Sequence, residues 1–247
     1  MRDSQYFYVH PLDVFPDRNI LILKNEEAHH CIKVLRKKTG DEFYVIDGLG
    51  HEYEVQLAAV SKNTVECRIQ HTRNCPRELP YAITLAQAMI TKDHFEWVIE
   101  KATELGVSEI IPIRTRRSLV EPGLNKIQRW QKILLSATKQ SRRSVIPAMK
   151  DVQSFEQLLF ASYDIKIIFH EKSDRPVLNY LSVLENRCVQ SMLICIGPEG
   201  GFTDEEIDTA RSAGIEVLSL GSRRLRAETA AVAAISIFSN MECPSSL

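Results

Sequence analysis

SMLICIGPEGGFTDEEID, residues 191–208, is the stretch on which the fold turns. After Ser191, five residues (192–196) form an unbroken apolar run, the length of a buried strand and too short for a helix. A glycine turn follows at 197–201. Thr203, with Glu206 three residues on, spells a capping box opening a helix that ends near Gly214. An apolar strand passing through glycine into a capped helix is the unit from which parallel sheets are built. The same alternation holds on both sides of it. Strand-like runs stand at 83–89, 108–113, 164–169 and 215–220. Phe95, Val98, Ile99, Ala102 and Leu105 make a helical stripe stopped by Gly106, and Ile127, Trp130, Leu134 and Ala137 mark a second. A last apolar helix covers 227–241. The chain from Tyr81 onward is therefore α/β: a mainly parallel sheet with helices on both faces.

The first 75 residues read differently. Short strands are expected at 20–23, 42–47, 51–57 and 64–70, joined by tight turns, with Asn25 capping a short helix that runs through Val34. This suggests a small β-barrel. Residues 71–80, with two prolines and no periodicity, form the expected linker. The boundaries are a barrel over 1–74 and the α/β domain over 75–247.

Composition narrows the class. Of 247 residues, 44% are hydrophobic and 26% charged, and ten glycines and ten prolines without a period exclude collagen-like and low-complexity chains. No apolar run approaches the ~20 residues needed to cross a bilayer. The start, MRDSQYFYVHPLD, has no apolar signal core, so a cytoplasmic protein is expected. Six scattered cysteines show neither a disulfide framework nor a zinc-ribbon spacing. The formal net charge of −1 hides an uneven distribution: −1 over 1–80, +6 over 81–150 and −6 over 151–247. A basic middle suits a polyanion, and the acidic end suits a different ligand.

In an open α/β sheet, ligands bind beyond the carboxyl ends of the strands. Three consecutive strands end in loops of unusual chemistry: Phe169-His170-Glu171, then 197–201 (GPEGG), then 220–230 (LGSRRLRAETA). A phosphate cradle is disfavoured, because Glu199, Asp204, Glu205 and Glu206 surround the glycines and the lysine of a phosphate loop is missing. A neutral or cationic ligand held mainly by backbone fits better, the glycines admitting main chain where a Cβ would obstruct. Tight turns needing positive φ would also explain glycine. Arg223, Arg224 and Arg226 precede an apolar helix, where their charge opposes the helix dipole, a local conflict that points to function.

Basic clusters lie elsewhere too. Arg116 and Arg117 follow one strand, Arg142 and Arg143 follow the second helix, and Lys33, Arg36 and Lys37 close the short N-terminal helix. Arginine forks and lysine charges suit a phosphate backbone, and a small barrel with a basic edge suits structured RNA. Each cluster taken singly is more often just a solvated surface. His29-His30 has no carboxylate or cysteine at ligand spacing, so no metal is expected.

AHHCIKVLRKKTGD (28–41), KATELGVSEIIPIRTRRS (101–118), RWQKILLSATKQSRRSVIP (129–147), IGPEGGFTDEEID (196–208) and LSLGSRRLRAETAAVAA (218–234) resemble, in order, successive motifs of the ribosomal RNA small subunit methyltransferase E family. The resemblance covers nearly the whole chain, and GPEGG followed by LRAETA is its most specific part. It implies an N-terminal PUA-like β-barrel that binds RNA. It also implies a C-terminal SPOUT domain closed by a trefoil knot, a homodimer, and S-adenosyl-L-methionine as cofactor. The implied reaction is methylation of N3 of one uridine in small-subunit (16S) rRNA, on naked rRNA or within an assembled 30S particle. The cofactor residues so implied are His170, Glu171, Ile196, Gly197, Pro198, Glu199, Gly200, Gly201, Leu218, Leu220, Gly221, Leu225, Thr229 and Ala230. Arg226 is the candidate for stabilising the uridine anion, with Glu228 orienting it or taking the proton. One departure stands out: where the family pattern has an aliphatic residue, this chain has Arg224. Two rival readings are a non-catalytic rRNA-binding or assembly factor and a phosphate-handling α/β enzyme.

Overall fold

The computed structural model describes residues 6–118, 124–184 and 187–241. The chain divides into two compact units, unit 1 comprising Met1–Glu78 and Leu135–Ile146, and unit 2 comprising Leu79–Leu134 and Pro147–Leu247.

Unit 1 is built on six strands: β1 (Tyr6–Tyr8), β2 (Val14–Phe15), β3 (Ile20–Lys24), β4 (Glu42–Ile46), β5 (His51–Val60) and β6 (Thr64–Asn74). They pair in the order β1-β4-β5-β6-β3-β2, antiparallel except for β1 with β4. This is the expected small β-barrel, left open where no ladder joins β1 to β2 among the described residues. Alternate residues of the long strands, Phe43 and Val45, Val55 and Leu57, Val65 and Cys67, fill one face together with Ala28 and Cys31. Two register shifts in the β5–β6 ladder, at Glu54/Val55 and Leu57/Ala59, bend the sheet around that core.

Two local expectations need correction. Residues 71–74 are not linker: they extend β6 and pair with His51 through Glu54 of β5. Alternation is lost there because the bulge shifts the ladder, but the backbone pairing continues. Asn25 does not cap the N-terminal helix. It takes a left-handed φ of 51° as the first residue of α1 (Asn25–His29), Lys24 stands at the cap, and His30–Val34 continue as a wider π-turn.

Unit 2 contains β7 (Ala82–Ala88), α2 (Lys92–Glu104), β8 (Glu109–Arg114), α3 (Leu124–Gln140), β9 (Ala148–Met149), β10 (Gln153–Ser154), α4 (Phe155–Leu159), β11 (Ile165–Phe169), α5 (Val177–Leu184), β12 (Ser191–Ile196), α6 (Asp204–Ser212), β13 (Glu216–Leu218) and α7 (Ala227–Phe238). The end of α3, from Leu135 to Gln140, belongs to unit 1. All pairings in the sheet are parallel, in the order β10-β8-β7-β12-β11-β13, with β9 also on β8. Ala86, Ala88, Ile111, Ile113, Leu193 and Cys195 turn to one face and meet α4 and α6 through Phe155, Leu158, Ile207 and Ala210. The intervening residues turn to the other face, where α7 contacts β7 and β12 and packs on α2. The helices thus cover both faces, as the strand–helix alternation predicts. The short elements β9, β10, α4 and α5 carry too few residues to show a period, and the sequence does not announce them.

Cys31, Cys67 and Cys195 are buried free thiols and Cys75 and Cys188 exposed ones; Cys243 lies outside the described residues. No helix among the described residues is long and apolar enough to cross a membrane.

Candidate active site

The carboxyl ends of β11, β12 and β13 bring their three loops around one cavity of about 570 Å³, within the range of small-molecule sites. Most of the expected residues line it: His170 and Glu171 after β11, Ile196 and all of 197–201 after β12, and Leu220, Gly221, Leu225 and Ala230 with Arg226 and Glu228 after β13. Leu218 and Thr229 do not line it. Leu218 is fully buried within β13 and gives its carbonyl to the His170 amide. Thr229 is exposed, turned off the lining side of α7 by the ~100° that separates successive helical residues.

The turn after β12 is fixed from three directions. The Thr203 hydroxyl accepts from the Glu206 amide at 3.2 Å, and the Glu206 carboxylate accepts from the Thr203 amide at 2.8 Å. That carboxylate, buried, also accepts from the Arg116 amide at 2.9 Å, tying the loop after β8 to the start of α6. Arg117 donates to the Gly200 carbonyl at 2.7 Å. Glu199 accepts from the Thr91 amide at 3.1 Å, which fastens the turn to the beginning of α2.

The glycines serve two purposes. Gly201 has φ of 67° and closes a turn by donating to the Pro198 carbonyl at 2.8 Å. Gly200 has ordinary backbone, but a Cβ there would stand 3.3 Å from Cδ of Arg117. Positive φ applies at Gly201, whereas at Gly200 the missing Cβ makes room for the Arg117 side chain.

The four carboxylates read against a phosphate are mostly turned elsewhere. Glu206 caps α6, Asp204 pairs with Lys172 at 2.9 Å, and Glu205 faces Arg116 at 3.9 Å; of the four, Glu199 alone lines the cavity. The Lys172 ammonium holds Asp204 below the usual carboxylate range. Burial first, and Lys172 second, push the His170 imidazole below its ordinary value, so the ring facing the cavity is neutral at neutral pH.

Arg226 occupies the N-cap position of α7 with its side chain exposed to the cavity, and Glu228 follows in the first turn. The Arg224 guanidinium reaches across to Glu171 at 3.3 Å, both in the lining. Sequence reasoning missed Thr91 and His94, where α2 begins. His94 Nδ1 stands 3.1 Å from the Thr91 hydroxyl and 3.9 Å from Glu228 Oε2. The carboxyl-end rule, applied to β7 as well, would have found them, but that loop lacks the glycines that drew attention to the others.

The basic residues read as RNA contacts fall into different places. Lys33, Arg36, Arg116 and Arg142 are exposed, and Lys37 is half-buried over the Phe43 ring. Arg117 belongs to the cavity. Arg143 is corrected: it is 3% exposed, and its Nε and a terminal nitrogen bond Glu78 Oε2 at 3.0 and 2.7 Å. Glu78 Oε1 accepts from the Ser144 and Val145 amides, so Arg143 is part of the interior of unit 1 and offers no surface fork. Among the described residues no cluster of three or more His, Cys, Asp or Glu side chains is arranged to hold a metal.

An all-parallel sheet whose post-strand loops cradle one cavity, joined to a small β unit, matches two family models: an RNA methyltransferase domain over residues 77–239 and an RNA methyltransferase PUA domain over 23–70. The molecule is a two-domain RNA methyltransferase. It is 34% identical to a ribosomal RNA small subunit methyltransferase E of Bacillus subtilis over 226 residues, 88% of each chain. It is 33% identical to one of Synechocystis over 238 residues, 94% of this chain and 78% of that protein. The crystal structure of the Neisseria gonorrhoeae enzyme of that name, bound to S-adenosyl methionine, superposes with a TM-score of 0.84 at 28% identity, covering 95% of this chain and 96% of the other. This chain belongs to the ribosomal RNA small subunit methyltransferase E family.

Proposed function

We propose that this enzyme methylates N3 of one uridine in small-subunit rRNA, using S-adenosylmethionine bound in the cavity of unit 2. The observation that carries the reading is the convergence of the 197–201 glycine turn with Arg226 and Glu228 on one cavity. The lining fits such a cofactor. Main chain at Gly201, where nothing stands within 4 Å of a Cβ position, can approach closely, Glu171, Glu199 and Glu228 offer anionic partners to a cation, and Arg117 offers donors to a carboxylate. When bound, S-adenosylmethionine supplies a methyl group already activated on sulfonium.

The protein's own task is alignment and proton management. Uridine N3–H is weakly acidic, and its proton must leave before or as the new bond to carbon forms. Arg226, placed against O2 or O4, stabilises the anion that develops there. Glu228 orients that guanidinium or accepts the proton. N3 is masked in a Watson–Crick pair, so the target uridine is taken out of its stack. To this reading belong Leu218 and Thr229 as supports of the cofactor loops, RNA contacts from Lys33, Arg36, Lys37, Arg116 and Arg142 with the N-terminal unit as RNA-binding domain, a trefoil knot, a cytoplasmic homodimer, and a substrate of naked rRNA or the assembled 30S particle.

The test is calorimetric titration with S-adenosylmethionine and S-adenosylhomocysteine, repeated on Gly200→Val, followed by nucleoside mass spectrometry of small-subunit rRNA incubated with the enzyme. Saturable binding that the variant loses, together with N3-methyluridine in the rRNA, is the expected outcome. A folded protein that binds neither ligand, with or without RNA, overturns the proposal and favours a non-catalytic RNA-binding factor.

A further inference from the structure

The outer face of the unit 1 sheet carries an assembly that the cavity does not use. Phe7, Phe43 and Val55 point into the core, so their neighbours point out. Along one rung Tyr6 on β1 lies beside Tyr44 on β4, which faces Glu54 on β5; one rung on, Glu52 faces Arg73 on β6. The two tyrosine rings stack with centroids 5.3 Å apart and planes 14° apart. The Arg73 guanidinium stands 5.9 Å over the Tyr44 ring and that of Arg77 stands 5.8 Å over the Tyr6 ring.

Glu52 holds this group from beneath. It is 1% exposed and accepts from the Tyr6 hydroxyl at 2.8 Å, from Arg73 at 3.3 Å and from Arg77. Burial first, and Glu52 next, push the Tyr6 hydroxyl up to about 12, so it stays a donor. A buried carboxylate needs compensation, but one arginine would supply it. Two are present, each with about half of its side chain exposed, and Glu54 stands 3.9 Å from Arg73. Arg77 Nε also donates to the Arg142 carbonyl at 2.8 Å, bringing the backbone of another exposed arginine to the same edge.

Stacked rings with guanidinium groups over them can take a base by its face, and the N–H groups of the forks donate to its phosphate. A duplex presents no free base face. An acidic peptide would be met by charge and would leave the ring stack unused. We propose that this face binds an unpaired segment of the RNA substrate, a base against the Tyr44–Arg73 stack and phosphates on Arg73 and Arg77, an inference that rests on the RNA methyltransferase reading above.

The test is fluorescence anisotropy of the full chain with a short labelled oligouridylate and a blunt-ended RNA duplex, alongside S-adenosylhomocysteine calorimetry. Tyr44→Leu is expected to weaken oligouridylate binding roughly 5- to 100-fold, the range for one stacked base, while Tyr44→Phe stays close to the parent. Arg73→Gln is expected to reduce the slope of log affinity against log salt by about 0.7, one phosphate on a single strand. Cofactor-analogue affinity is expected to be unchanged in all three. Parent-like oligouridylate affinity in both Tyr44→Leu and Arg73→Gln overturns the proposal, as does a parent that prefers the duplex. Should Tyr44→Leu fail to fold, parent-like affinity and salt slope in Arg73→Gln overturn it alone. A parent that binds the analogue but no RNA brings down this face; one that binds neither brings down the methyltransferase reading as well.

Discussion

Arg226 sits where a helix least favours a cation. The N-terminus of α7 presents unsatisfied amides and the positive end of the dipole, and Arg226 caps none of them with its side chain. Its neighbour Glu228 is the ordinary choice for that turn. A residue kept against local preference is accounted for by what it faces, here the cavity. Arg143 is the opposite case, a guanidinium whose sequence setting looks like free basic surface but which is consumed by Glu78. The two differ in burial, which a run of basic letters does not display. If Arg226 acts only on charge that develops during reaction, Arg226→Ala should lower kcat and kcat/KM together by roughly 10²–10³-fold. S-adenosylhomocysteine affinity should stay at the parent value. Single-turnover methylation with the analogue titration alongside separates the two effects, and full turnover in the variant would remove Arg226 from the reaction.

At the scale of elements, α6 shows how far local sequence can go. Its capping box, its start at Asp204 and its stop before Gly214 were all legible in 203–214, because each rests on side chains that bond within one turn. The β6 extension and the left-handed Asn25 were not legible, since both depend on partners or backbone geometry set by other strands. The same helix also binds distant chain, for Glu206 caps the Thr203 amide and holds the Arg116 amide at once. Thr203→Ala should therefore cost about 1 kcal/mol, the usual value of a lost N-cap. Glu206→Ala should cost more, about 2–3 kcal/mol, because two part-buried amides lose a charged acceptor. It should also weaken S-adenosylhomocysteine binding by loosening the turn after β12, whereas Thr203→Ala should affect it less. Urea denaturation and calorimetry on both variants check the order; equal losses would mean that the Arg116 bond contributes nothing.

Across the whole molecule, the sheet and its helices follow from hydrophobic period, and the place of the site follows from strand direction. A parallel sheet gathers its carboxyl ends on one side, so three loops far apart in sequence meet without any pairwise signal. That argument located the cavity but not its full wall. Thr91 and His94 enter because β7 lies next to β12, an adjacency that strand order determines and the linear pattern conceals. Leu218 and Thr229 drop out for reasons of phase, the first a buried strand position and the second off the lining side of α7. A ligand bound to such a wall should rigidify every segment that builds it. Saturating S-adenosylhomocysteine at about 100 times its Kd should stabilise the folded state by ~2.7 kcal/mol. Hydrogen exchange should then slow at 197–202, at 220–230 and at the start of α2 together, because the Glu199–Thr91 bond joins the last of these to the first. Slowing at the two glycine loops without α2 would show that the α2 contact is not part of the bound state. Slowing confined to unit 1 would move the cofactor out of this cavity altogether.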